Sequence, residues 1–143
     1  MTVRKILSLK GSDVLTIAPE KKLLDAIALL AKHKIGALVV TGSNREVVGI
    51  ISERDIVRLL SNTDNNRFEN TVASAMTKEV KTCKPEDTIQ RVMQVMTAGR
   101  FRHMPVVENG RLTGVISIGD VVKLRLEEME RESEHLKEYI ATA

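Results

Sequence analysis

The heptad GIISERD at residues 49–55 returns almost unchanged as GVISIGD at residues 114–120. Each copy reads glycine, a β-branched residue, isoleucine, serine, two variable residues and aspartate, and an apolar run follows. Gly49 and Gly114 stand 65 positions apart, and so do Asp55 and Asp120. A chain of 143 residues that spells one heptad twice is built on an internal repeat, and that repeat decides the fold.

Outward from the heptads the match continues. VLTIAPEKKLLDAIALL (14–30) lies over VKTCKPEDTIQRVMQVM (80–96) at an offset of 66. KIGALVV (34–40) lies over RFRHMPVV (100–107) with one extra residue in the second copy, and the lead-ins VRKIL (3–7) and VASAM (72–76) match loosely. The stretch SNTDNNRFENT (61–71) is polar and turn-rich, with no hydrophobic period, and reads as a linker. The expected organisation is therefore repeat 1 over 3–60, linker 61–71, repeat 2 over 72–126 and an extension over 127–143. A unit of about 60 residues is marginal alone, so the two should share a core. With Phe68, Phe101 and Tyr139 as the only aromatics, that core must come from Val, Ile, Leu, Ala and Met.

Each repeat parses alike. A short β-branched piece (14–17; 80–83) meets Pro19 or Pro85, which favours a helix start after an extended residue. Leu23, Leu24, Ile27, Leu30 and Ala31 recur at helical spacing, as do Ile89, Val92, Met93 and Met96. A buried strand follows (37–40; 104–107), then a hairpin into the heptad. Asn109-Gly110 is a two-residue hairpin signal, and Gly42 to Arg45 take its place in the first copy. The order β-α-β-β-α, twice, predicts an α+β fold of two pseudo-twofold-related repeats with small sheets and helices packed on them. In the extension, Val122, Leu126, Met129, Ser133, Leu136 and Ile140 form a heptad seam on a charged helix. Such a seam folds back on its own module or pairs with another chain, and dimerisation is the expectation.

Composition narrows the function classes. No apolar run approaches the ~20 residues of a membrane span, and the N-terminal stretch lacks the features of a signal peptide. Cys83 is alone, so no intramolecular disulfide forms, and a cytoplasmic protein without membrane association is expected. A net charge of +3 suits an anionic small ligand without demanding nucleic acid. His33 is flanked by Lys32 and Lys34 and should be solvated; His103, His135 and Cys83 share no ligand spacing, so no metal is expected. No nucleophile–base pair or glycine-rich cradle is present, so no catalysis and no catalytic cofactor are expected.

The heptad has two compatible readings. Ser-x-x-Asp ahead of a helix is close to a capping box, with Ser52 and Ser117 at the N-cap and Asp55 and Asp120 at N3, contributing about 1 kcal/mol per helix. The same helix end presents free N–H groups and a positive dipole, and a carboxylate held there can accept both hydroxyls of a ribose. The second repeat adds Arg100, Arg102 and His103 ahead of its strand, where the first has Lys34, Gly36 and Ala37. Arginine offers a planar fork to phosphate oxygens, and Met104-Pro105 could present backbone groups and an apolar wall to a flat base.

Two β-α-β-β-α repeats, each ending G-h-I-S-x-x-D (h, hydrophobic), with RFRHMPVV in the second, resemble a tandem pair of cystathionine-β-synthase (CBS) domains, a Bateman module, over about residues 3–126. The resemblance implies a pseudo-twofold module with two clefts for adenine nucleotides such as AMP, ADP, ATP, NAD(H) or S-adenosylmethionine. It places Asp55 and Asp120 on the ribose hydroxyls and Ser52 and Ser117 at the ribose–phosphate end. Arg102 and His103 match phosphate-meeting positions, with Arg100 and Arg54 as helpers. Backbone around Ala18, Gly36, Ala37, Lys84, Met104 and Pro105 would frame the base, each repeat's aspartate working opposite the other's strand. Gly36-Ala37 in place of Arg-His, and the missing proline before Val39-Val40, imply unequal clefts. The implied protein is a non-catalytic sensor, a homodimer that acts on a regulated partner. CBS modules also sit inside inosine monophosphate dehydrogenases, but the catalytic barrel is absent here. A structural dimerisation module and a nucleic-acid-binding protein are the alternatives.

Overall fold

Alternation of short β-branched runs with amphipathic stretches gives α1 (Val3–Lys10), β1 (Thr16–Ile17), α2 (Leu23–His33), β2 (Ala37–Thr41), β3 (Val47–Ser52) and α3 (Glu53–Leu60), then α4 (Val72–Ala75), α5 (Ile89–Gly99), β4 (His103–Glu108), β5 (Arg111–Ser117) and α6 (Ile118–Thr142). The computed structural model describes residues 1–61 and 70–142. Most of the segment read as the linker falls on residues 62–69, outside the described residues, as does Ala143 at the end of the extension.

In the first sheet β1 runs parallel to β2, and β2 antiparallel to β3. In the second, β4 and β5 pair antiparallel, and the strand expected over 80–83 shrinks to a single bridge at Cys83. Its N–H donates to the Pro105 carbonyl at 3.0 Å, and the Val107 N–H donates to Cys83 at 2.8 Å. Pro105 has no N–H with which to carry that ladder further back.

The helices begin at Leu23 and Ile89, four positions after the prolines that were expected to start them, with Lys22 and Thr88 as N-caps. The stretch between has another task. Pro19 and Lys21 carbonyls accept from Ala73 and Val72 at 3.0 and 2.8 Å, while Pro85 and Asp87 accept from Arg4 and Val3, both at 2.9 Å. The lead-ins are thus crossed. Val3 and Ile6 of α1 are buried in the second repeat's core with Ile89, Met96, Met104 and Ile116. Val72 of α4 is buried in the first core with Leu23, Leu38 and Ile51. Neither repeat closes its core without the other's lead-in, which meets the size constraint by exchange rather than by one fused interior.

The two copies superimpose more simply than the sequence suggested. Glu53 N–H donates to Gly36 at 3.0 Å and Ile118 N–H donates to Arg102 at 2.8 Å. Ala37 pairs with Ser52 as His103 pairs with Ser117. Gly36 therefore corresponds to Arg102 and Ala37 to His103 with no extra residue there. The offset changes inside the hairpins, where a turn through Ser43–Arg45 faces a tight one at Asn109-Gly110 (φ 54° and 76°).

The heptad glycines are explained by the crossing. A Cβ on Gly49 would lie 2.5 Å from Met76 Sδ and 2.9 Å from the Thr77 carbonyl oxygen; one on Gly114 would lie 2.5 Å from Leu7 Cδ2. Each glycine admits the other repeat's lead-in. Gly49→Ala should cost about 1–3 kcal/mol, because backbone stands in the way, and Gly114→Ala less, because a flexible leucine end can yield. Denaturant midpoints measure the difference, and equal losses would show that the Thr77 backbone moves as readily as Leu7.

Helix α6 begins in the second core with Val121 and Leu124 and then leaves it. Val122, Leu126, Met129, Leu136 and Ile140 of the seam are 39–67% exposed, so the seam does not fold back on its own module. Among the described residues no helix is long and apolar enough to cross a membrane.

Candidate functional site

Strand β3 delivers Ser52 to the first turn of α3, and the capping box forms. Ser52 Oγ accepts from the Asp55 N–H at 3.2 Å, while the Ser52 N–H and hydroxyl donate to Asp55 Oδ2, each at 2.9 Å. The other oxygen, Oδ1, accepts from the Thr77 hydroxyl at 2.9 Å and from Arg58 Nη1 at 3.4 Å. Asp55 is 4% exposed, the one charged residue counted with the buried interior of the described residues.

This helix end faces an open cleft of about 610 Å³ between the repeats. Repeat 1 contributes Gly36, Ala37, Ser52, Arg54, Asp55 and Arg58; the second contributes Thr77, Glu79, Lys81, Arg100, Arg102 and His103. Arg54 reaches across, donating to the Arg100 carbonyl at 3.3 Å. Arg100 ends α5 in the left-handed region at φ 57°. Five cations (Arg54, Arg58, Lys81, Arg100, Arg102) face three carboxylates (Glu53, Asp55, Glu79) around the cleft. Among the described residues neither Arg100 nor Arg102 has an ion-pair partner, so their charge is available to a ligand. His103 is half-buried; burial, then the charge of Lys10, lowers its pKa below the ordinary value of 6.5, with Asp120 pulling the other way.

The second heptad repeats the cap in a different setting. Ser117 N–H donates to Asp120 Oδ2 at 2.9 Å and Asp120 N–H donates to Ser117 Oγ at 3.1 Å. Lys10 Nζ then donates to Asp120 Oδ2 at 2.7 Å and to the Val115 carbonyl at 3.0 Å. Burial pushes the Asp120 carboxyl up, but the hydrogen bonds from Lys10 and Ser117 and the Lys10 charge outweigh it and hold the pKa below the ordinary carboxylate value. In the first half, Thr77 N–H donates to the Ile50 carbonyl at 2.8 Å while its hydroxyl serves Asp55. One ammonium in the second half therefore does what a backbone N–H and a hydroxyl do in the first.

The structure brings Gly36, Ala37, Ser52, Arg54, Asp55, Arg100, Arg102 and His103 to one cleft and leaves the other expected residues away from it. Ser117 and Asp120 cap their own helix beside Lys10. Met104 lies in the second core at 1% exposure, and Pro105 is buried with its carbonyl bonded to Cys83, so neither offers a wall to that cleft. Lys84 lines a separate depression with Cys83 and Arg91, its N–H donating to Asp87 at 2.8 Å. The Ala18 carbonyl accepts from Lys21 at 3.2 Å within its own turn. Glu53, Arg58, Thr77, Glu79 and Lys81 also line the cleft and were not expected from the sequence. Arg58, one turn after Asp55, was within reach of a helical-spacing argument; Thr77 was hidden by the loose match of the lead-ins.

Among the described residues no group of three His, Cys, Asp or Glu side chains is placed to hold a metal. His33 is exposed. Burial, then the charge of Asp87, pushes the Cys83 thiol up to about 12, so it stays protonated and inert.

Two copies of one α+β unit, crossed at their lead-ins and facing one another across a basic cleft, define a tandem-repeat module. The chain belongs to the CBS-domain family, whose model matches residues 3–62 and 72–127. It is 34% identical to the mitochondrial CBS domain-containing protein CBSX3 of Arabidopsis thaliana, over 97% of this chain and 71% of that protein. A CBS-domain containing protein of known structure from Agrobacterium tumefaciens is 46% identical, with a TM-score of 0.82 over 87% of this chain and 99% of that one. The CBS domain pair of protein MJ0100, solved with 5-methylthioadenosine and S-adenosyl-L-methionine, is 25% identical, with a TM-score of 0.77 over 90% and 98% of the two chains.

Proposed function

We propose that the protein is a non-catalytic regulatory sensor that binds an adenine nucleotide (AMP, ATP or NAD(H)) between its repeats, and that it works in the cytoplasm through a regulated partner protein. One observation carries this reading: five cations from both repeats converge on a single cleft whose floor is the capped N-terminus of α3. Such an arrangement suits phosphate, since guanidinium forks and helix-end N–H groups both favour anions. The adenosyl ligands of the MJ0100 pair support an adenosine-bearing molecule. Mass spectrometry of small molecules released from natively purified protein, with melting curves in AMP, ATP and NADH, tests it. A nucleotide present at about 100 times its dissociation constant should stabilise the fold by about 2.7 kcal/mol. No bound nucleotide and no shift with any of the three would overturn it.

The exposed α6 seam supports a homodimer. Its apolar positions run along a helix that also carries Glu127, Glu128, Glu130, Glu132, Glu134 and Glu138, which disfavours nucleic acid as the partner. Ending the chain at Arg125 should weaken self-association in sedimentation, and an unchanged dimer at low micromolar concentration would remove the helix from the interface.

A further inference from the structure

We propose that Thr77 gates ribose recognition in this cleft: its hydroxyl holds the Asp55 carboxylate closed, and only a vicinal diol displaces it. The inference rests on the nucleotide reading above. A carboxylate has about four lone-pair positions. Four donors fill those of Asp55: Ser52 N–H and hydroxyl on Oδ2, Thr77 hydroxyl and Arg58 on Oδ1. The Ser52 bonds belong to the helix cap and persist while α3 is folded, so Oδ1 is the acceptor that a sugar must take.

The two donors on Oδ1 differ. Arg58 is 66% exposed, reaches Oδ1 at 3.4 Å from one turn along the same helix, and lines the cleft, so it can turn from the carboxylate to a phosphate at little cost. Thr77 is the closer donor. Its backbone is fixed by reciprocal bonds with Ile50, N–H to carbonyl at 2.8 Å one way and 3.0 Å the other. The hydroxyl therefore leaves by a side-chain rotation while the chain stays in place. Replacing it with one sugar hydroxyl exchanges like for like and gains nothing. A 2′,3′-diol brings two hydroxyls to an oxygen with two positions, and wins. The second heptad lacks this device: Lys10 donates to Asp120 Oδ2, the oxygen that the Ser117 N–H also holds, and among the described residues no donor holds Asp120 Oδ1 shut as Thr77 holds Oδ1 of Asp55.

Calorimetric titration of the full chain with AMP or ATP and with the 2′,3′-dideoxy counterparts tests the gate, using wild type, Thr77→Val and Thr77→Ser. Removing the hydroxyl should tighten the ribonucleotide roughly three- to tenfold, the net worth of one neutral hydrogen bond. The dideoxy ligand should be unaffected, and Thr77→Ser should keep the wild-type ratio between the two. A Thr77→Val protein that binds the ribonucleotide no better than wild type overturns the gate. Wild type that binds both sugars equally also overturns it and leaves the nucleotide reading standing. No binding by any of the three proteins removes that reading and the gate with it.

Discussion

Asp55→Ala should lower the melting temperature of the ligand-free protein by roughly 10 °C, and Asp120→Ala by only a few degrees. As an N3 carboxylate each would be worth about 1 kcal/mol, and the two substitutions would look alike. The structure separates them. Asp55 is 4% exposed and accepts four hydrogen bonds, one of which, from Thr77, ties the first repeat to the second repeat's lead-in. Truncation leaves part-buried donors without an acceptor, at about 1–3 kcal/mol for the least hydrated of them, on top of the lost cap. The sum, roughly 2–4 kcal/mol, corresponds to the larger shift in a chain of this size. Asp120 has a side chain 27% exposed and pairs with a Lys10 that is 39% exposed, so its loss removes a cap and a surface ion pair worth about 0–1 kcal/mol. Scanning calorimetry of the two variants without ligand decides it. Equal shifts would mean that the Thr77 and Arg58 contacts add nothing to the cap.

That difference also marks where the sequence stops being readable. The heptad's capping chemistry follows from the Ser-x-x-Asp spacing alone, and both caps form. The pseudo-symmetry follows from the repeat, as does the meeting of Arg100, Arg102 and His103 with Ser52 and Asp55 once the resemblance is named. The crossing of the lead-ins does not follow. Val3 and Val72 look interchangeable as short apolar pieces, and only tertiary packing tells which core each one fills. The consequence is chemical. With α1 eight residues long and α4 four, the lead-ins present Lys10 to one aspartate and Thr77 to the other. Local patterning carries caps, periods and turns, whereas the partner of a buried carboxylate is set by a contact 22 or 110 positions away. Met104 shows the same limit from the other side: its place beside the arginines suggested a ligand wall, but strand alternation turns it into the core.

Arg102→Ala should weaken nucleotides by about 10- to 100-fold while leaving adenosine nearly untouched. Arg102 occupies the position that Gly36 holds in the first repeat, so the guanidinium is an addition of the second copy with no counterpart across the pseudo-twofold. It is exposed, lines the cleft beside Arg100, and has no ion-pair partner among the described residues, so a phosphate would not have to compete for it. A hydrogen bond to a charged group is worth about 1.5–3 kcal/mol, which sets the size of the loss. The order of effects should follow ligand charge, with ATP losing most, AMP less and adenosine least, because added phosphates extend the anion along the arginines. Raising the ionic strength should mimic the substitution for ATP in the wild type and do little to the variant, since screening acts on the attraction the variant has already lost. Titrations with the three ligands at two salt concentrations measure both trends. Equal losses for adenosine and ATP would move Arg102 off the phosphate and onto the packing of the cleft.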